Sequence, residues 1–109
     1  MNKEKGIGMK TINILGIDHS IETINPSKFG LSDSIMGRWI ESESKIIINE
    51  KLSEQQMDAT IWHEVTHAIL IACGESELNA NEDFVEKISR AFSQIANLKI
   101  NEGKESEDN

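Results

Sequence analysis

The sequence predicts an α+β domain: a small, mostly antiparallel sheet of about three strands packed on two main helices. Short β-branched runs, TINILGI and KIIIN, lie in the first half of the chain. Apolar residues at helical spacing fill the second half. At 109 residues, with 38% apolar and 28% charged, the chain suits a single core, so 1–109 reads as one domain.

Residues 1–9 carry Gly6, Gly8 and several charges and read as a loose lead-in. Thr11 to Ile17 is short and β-branched, which predicts a strand. Residues 18–35 contain Pro26, Gly30 and several Ser and Asp, and predict a long loop with at most one helical turn. MGRWIE and KIIIN flank the polar stretch SES, the pattern of a hairpin with strands near 36–42 and 45–49.

The first helix has a marked start. Ser53 is a good N-cap, Gln56 completes a capping box, and Leu52 and Met57 can form a hydrophobic staple. It runs to about Cys73 and stops at Gly74, a residue suited to the left-handed position after a helix end. ESELNA reads as a loop. A second helix starts near Asn81, with Glu82 and Asp83 in its first turn, where the helix dipole favours acids. Phe84, Ile88, Ala91, Ile95 and Leu98 give it an apolar stripe, and it ends near Asn101. The polar, acidic tail 103–109 has no apolar anchor and reads as disordered.

The net charge of −8 argues against nucleic-acid binding, which needs clustered Lys and Arg. No apolar run is long enough to span a membrane. The basic MNKEKGIGMK has no apolar stretch behind it, against the pattern of a secretory signal. With Cys73 as its one cysteine, the chain fits a reducing compartment, and a cytoplasmic location is expected.

Residues 63–67 read His-Glu-Val-Thr-His. Histidines four apart lie on one helix face, one turn above the other, so both imidazoles can reach one metal ion. Glu64 falls at the edge of that face, too close in sequence to His63 to be a comfortable ligand, but able to reach a water held by the ion as a general base. On the helical wheel Ile61, Val65, Ala68 and Ala72 form the core stripe, and His63 and His67 lie nearly opposite, flanked by Leu70 and Ile71. Zinc in such a site takes a third protein ligand. A third histidine six residues after His67 is excluded, because Cys73 stands there. A carboxylate of the next helix is left: Glu82, nearest that helix's apolar stripe, with Glu86 and Asp83 as alternatives.

This pattern resembles the gluzincin metallopeptidases, in particular the small phage-associated and ImmA/IrrE-like proteins. The resemblance covers roughly residues 30–95: the hairpin ending in KIIIN, LSEQQ, WHEVTHAIL and NEDFVEKISRAF. It implies a minimal zincin-like domain that hydrolyses peptide bonds of a peptide or protein substrate, with zinc on His63, His67 and Glu82, or Glu86 after a four-residue shift, and Glu64 as the catalytic base. It also implies that the last strand before the active helix, Lys45 to Asn49, is the edge that pairs with an extended peptide. The chain has no tyrosine, so the phenolic oxyanion donor of some relatives is missing. The alternatives are a non-catalytic interaction domain that keeps zinc for structure, and an acidic phage-type inhibitor that acts by mimicry.

Other residues have simpler expectations. His19 reads as a surface histidine, Cys73 as a small buried filler and Arg38 as an exposed strand residue. Trp39 and Trp62 read as walls of the core or cleft. Thr66 suits either packing or support of a histidine.

Overall fold

A computed structural model of the chain describes the backbone of residues 9–108 and the side chains of residues 10–96. The expectation for residues 1–8 lies outside the described residues, as do the side chains of the acidic tail.

The structure is α+β, with a four-stranded mixed sheet and three helices, two of them long. The run read as one strand is the start of a hairpin: β1 (Met9–Ile14) and β2 (Ile17–Ile24) pair antiparallel, with Ile14 opposite Ile17. Leu15 and Gly16 make the turn at φ 48° and 92°. Two successive positive φ values suit the right-handed twist of a two-residue hairpin, but a leucine rarely takes one. Asn13 stabilises the turn: its Oδ1 accepts from the Gly16 N–H at 3.0 Å and its Nδ2 donates to Asp18 at 2.8 Å. Residues 18–24 of the expected long loop are therefore strand.

The rest of that loop is short and held at both ends. Asn25 caps a 3-10 turn, Pro26–Phe29, which closes on Gly30 at φ 72°. Buried Asn49 then ties the following segment down, its Nδ2 donating to the carbonyls of Asp33 and Ile35 at 3.1 and 2.8 Å. This delivers the chain to β3 (Gly37–Ile40), which forms the expected antiparallel hairpin with β4 (Lys45–Asn49).

The strand order is β1-β2-β4-β3, with β2 and β4 parallel. This corrects the expectation for the peptide-binding edge. Lys45–Asn49 is interior, because β2 takes its far side, and the edges are Met9–Ile14 and, next to α1, Gly37–Ile40. The burial of Ile46, Ile47, Ile48 and Asn49 is the physical mark of an interior strand.

α1 (Glu54–Ala72) begins as expected: Ser53 and Gln56 form a complete capping box, and Leu52 and Met57 both pack against the core. The helix gives way at Cys73 and Gly74, the latter at φ 78°. Cys73 is exposed rather than a buried filler, because it lies beyond the last turn held against the sheet. Val65 and Ala68 of α1 close the core over Ile14, Ile21, Ile46 and Ile48, with Trp39, Ile61 and Trp62 around it. Each such isoleucine contributes about 1.5–3 kcal/mol of burial. Ala72, assigned to the same stripe, is exposed.

ESELNA contains a short helix, α2 (Ser76–Asn79). α3 (Glu82–Asp108) is capped by Asn81, whose Oδ1 accepts from the Phe84 N–H at 3.1 Å. It runs past the expected end near Asn101. Its buried face is also displaced. Val85 and Ser89 are buried and Phe92 packs on Trp62 at 5.7 Å, whereas Ala91 and Ile95 are exposed. The face thus turns about 100° from the apolar stripe, towards Glu82. No helix among the described residues is long and apolar enough to cross a membrane.

Candidate metal centre

His63 and His67 project from one face of α1, their ring centroids 5.0 Å apart. The start of α3 faces them. Glu82 reaches both, with Oε1 3.4 Å from His63 Nε2 and Oε2 3.5 Å from His67 Nε2. One donor atom from each of the three lies within 4.8 Å of the others, close enough to hold a metal ion.

The opposite ring nitrogens also have partners. His63 Nδ1 lies 3.1 Å from Glu86 Oε1, and His67 Nδ1 lies 2.7 Å from Asn79 Oδ1. Both partners are acceptors, so with a metal ion on each Nε2 each Nδ1–H would donate to them. Such partners orient the two rings.

Glu86 is thus brought to the site as a support for His63, with its other oxygen 3.7 Å from Arg90. Asp83 is exposed and pairs with Lys87 at 3.2 Å. Asn79 was not anticipated, because it lies in a segment without periodicity. The available signal was chemical: a histidine that offers one nitrogen to a metal needs an acceptor for the other.

Glu64 sits between this group and the edge strand. Burial raises its carboxyl above the usual carboxylate range. His63, His67 and the Trp39 backbone N–H oppose that shift, and Glu82 adds to it. A carboxyl raised by burial is a stronger base than a solvated carboxylate, which suits it to taking up a proton.

Beside it opens a cavity of about 250 Å³ lined by Met36, Gly37, Ala59, Thr60, His63, Glu64 and Glu86. Gly37 has a steric reason to be there. A Cβ at that position would meet Thr60 Cγ2 at 2.6 Å and the Ile47 carbonyl oxygen at 3.0 Å, so only glycine lets β3 lie this close to α1.

The remaining residues sort simply. Thr66 is buried and its hydroxyl donates to the Trp62 carbonyl at 2.7 Å, a packing role. Arg38 is exposed, and Trp39 and Trp62 pack against the core. His19, expected at the surface, is 5% exposed, because the hairpin folds its side of β2 under α1. No family model matches the chain, and neither a curated protein nor a solved structure matches it.

Proposed function

We propose that the chain is a zinc-dependent peptidase. The observation that carries this reading is a three-donor group, His63, His67 and Glu82, with an acceptor behind each histidine ring and Glu64 beside it. Three protein donors leave a position open, as catalytic zinc sites do, whereas structural sites close with four. The group has three members among the described residues. This favours catalysis over a zinc-stabilised interaction domain.

Bound there, zinc would supply Lewis-acid polarisation of a peptide carbonyl and lower the pKa of a water. The chain's own residues do the rest. Glu64 takes a proton from the attacking water and returns it to the leaving amine.

β3 offers the substrate an edge. The Met36 carbonyl accepts from the Asn49 N–H, so by the alternation of an antiparallel pair Gly37 and Trp39 turn their main-chain groups away from β4. Gly37 thereby presents its N–H and C=O to an extended peptide. The 250 Å³ cavity next to Gly37 receives a side chain of that peptide. The expected partner is a peptide or protein, and the single exposed Cys73 fits action in the reducing cytoplasm.

Untagged protein should carry about one zinc per chain and cleave members of a mixed peptide library. Glu64→Gln should keep the zinc and lose cleavage. Zinc retained with no cleavage by either form would favour the structural reading, and loss of zinc from Glu64→Gln would remove the proton-transfer role from Glu64.

A further inference from the structure

Two buried threonines of α1 use their hydroxyls differently. Thr66, 1% exposed, donates to the Trp62 carbonyl one turn back at 2.7 Å. Threonines inside helices commonly bond in this way, which ties up the proton. Thr60, 7% exposed, does not: its hydroxyl makes no hydrogen bond among the described residues. The Trp39 indole nitrogen is the one fully enclosed side-chain polar atom among them that lacks a partner, so the Thr60 oxygen keeps accessible surface. Thr60 Cγ2 is the atom that lies against Gly37, and the residue lines the cavity of about 250 Å³ beside the candidate metal centre. The wall of that cavity thus carries a free hydroxyl on a side chain more than nine-tenths buried.

The other walls decide what can meet it. Met36, Gly37 and Ala59 are apolar, and His63, Glu64 and Glu86 are polar. Glu86 engages His63 Nδ1 through Oε1 at 3.1 Å, and its Oε2 lies 3.7 Å from Arg90, so lone pairs remain on both oxygens. A ligand side chain therefore meets a hydroxyl whose proton needs an acceptor and a carboxylate that can take another donor.

We propose that Thr60 is a specificity-determining residue of this cavity and selects a substrate side chain that ends in a primary amide, glutamine foremost. The amide oxygen accepts from the Thr60 hydroxyl, an amide N–H donates to Glu86, and the methylenes lie along Met36 and Ala59. Other side chains satisfy less of the wall. A lysine ammonium has donors alone and leaves the Thr60 proton without an acceptor. A glutamate sets a further carboxylate beside Glu64 and Glu86. An apolar side chain pairs with neither group. The volume equals that of roughly eight waters, which favours glutamine over the shorter asparagine and serine.

The substrate class rests on the peptidase reading, but the pairing can be measured without zinc or cleavage. The probe is N-acetyl-glutamine N-methylamide, titrated into metal-free 15N-labelled protein while the Gly37 amide resonance is followed. It should give a saturable shift at millimolar concentration. The methionine analogue, of similar length and without the amide, should bind about tenfold more weakly, and the lysine and glutamate analogues should also bind more weakly. Thr60→Val keeps a methyl for Gly37 and should erase the preference for glutamine over methionine. Thr60→Ser restores the hydroxyl and should restore the preference, which a purely packing role for Thr60 would not do. No saturable shift, equal binding of glutamine and methionine analogues, tighter binding of the lysine analogue, or a preference untouched by Thr60→Val would each overturn the assignment. Amide-selective binding by a protein that cleaves no peptide would sink the peptidase reading alone. Cleavage of library peptides with no glutamine preference would sink this inference alone.

Discussion

A carboxyl at position 64 gives up hydration to α1 and β3, and the sign of the resulting pH dependence follows from that. Its folded pKa lies above its ordinary value, so the protonated form is favoured in the fold. Below the ordinary value of about 4.3 the group carries no penalty; as pH rises past that value the cost grows, and it is complete above the folded pKa. In metal-free protein Glu64→Gln should therefore raise the denaturation midpoint at neutral pH, and the gain should vanish near pH 4. Equal midpoints for the two proteins across that range would show that Glu64 is solvated. The donors around it differ in kind. Glu82→Ala removes a ligand and should lower zinc affinity by more than about 100-fold, while Glu86→Ala and Asn79→Ala only free a histidine ring and should cost about 10–100-fold each. Chelator competition on the three variants ranks them. If Glu86→Ala proves the worst, the third ligand lies one turn further along α3.

Three elements set the site, and each is placed by a local device. The capping box starts α1, Asn49 anchors the segment that leads into β3, and Asn81 caps α3 so that Glu82 stands in its first turn. The closest approach is β3 to α1 at Gly37. Gly37→Ala should destabilise the protein by about 1–3 kcal/mol, since the new methyl overlaps Thr60 Cγ2. Thr60→Ser removes that methyl and should recover part of the loss, but not all, because the Ile47 carbonyl oxygen remains 3.0 Å away. Urea midpoints of the single and double variants measure this. Strict additivity would mean that the two positions do not touch.

At the scale of the whole molecule, α1 is the shared wall. One side closes the core over Ile14, Ile21, Ile46 and Ile48, another carries the metal group towards α3, and its C-terminal half covers a smaller cavity of about 160 Å³. Trp39 joins the last two, since its backbone meets Glu64 and it lines that smaller cavity. The acidic tail stands apart from this arrangement in composition. Deleting 103–109 should leave the melting temperature nearly unchanged, because those residues bring charge and no apolar surface. A large fall would place part of the tail on the domain.

Local chemistry was legible in the sequence: the β3–β4 hairpin, the boundaries of α1 from its caps, the single face shared by His63 and His67, and the acid-rich start of α3. These depend on residues within a turn or two of one another, so spacing alone determines them. Other features were settled by tertiary contacts. The Leu15–Gly16 turn lacks the usual hairpin residues, and β2 pairs with β4 across some twenty intervening residues, which moved the free edge to β3. α3 buries Val85 and Ser89 rather than its most apolar stripe, because the surface that α1 offers decides which face docks. That rotation carries Glu82 to the histidines and Glu86 behind His63. His19 became buried and Asn79 acquired its histidine partner only when distant segments closed together, since burial is a property of the assembled molecule and not of a residue's neighbours in the chain.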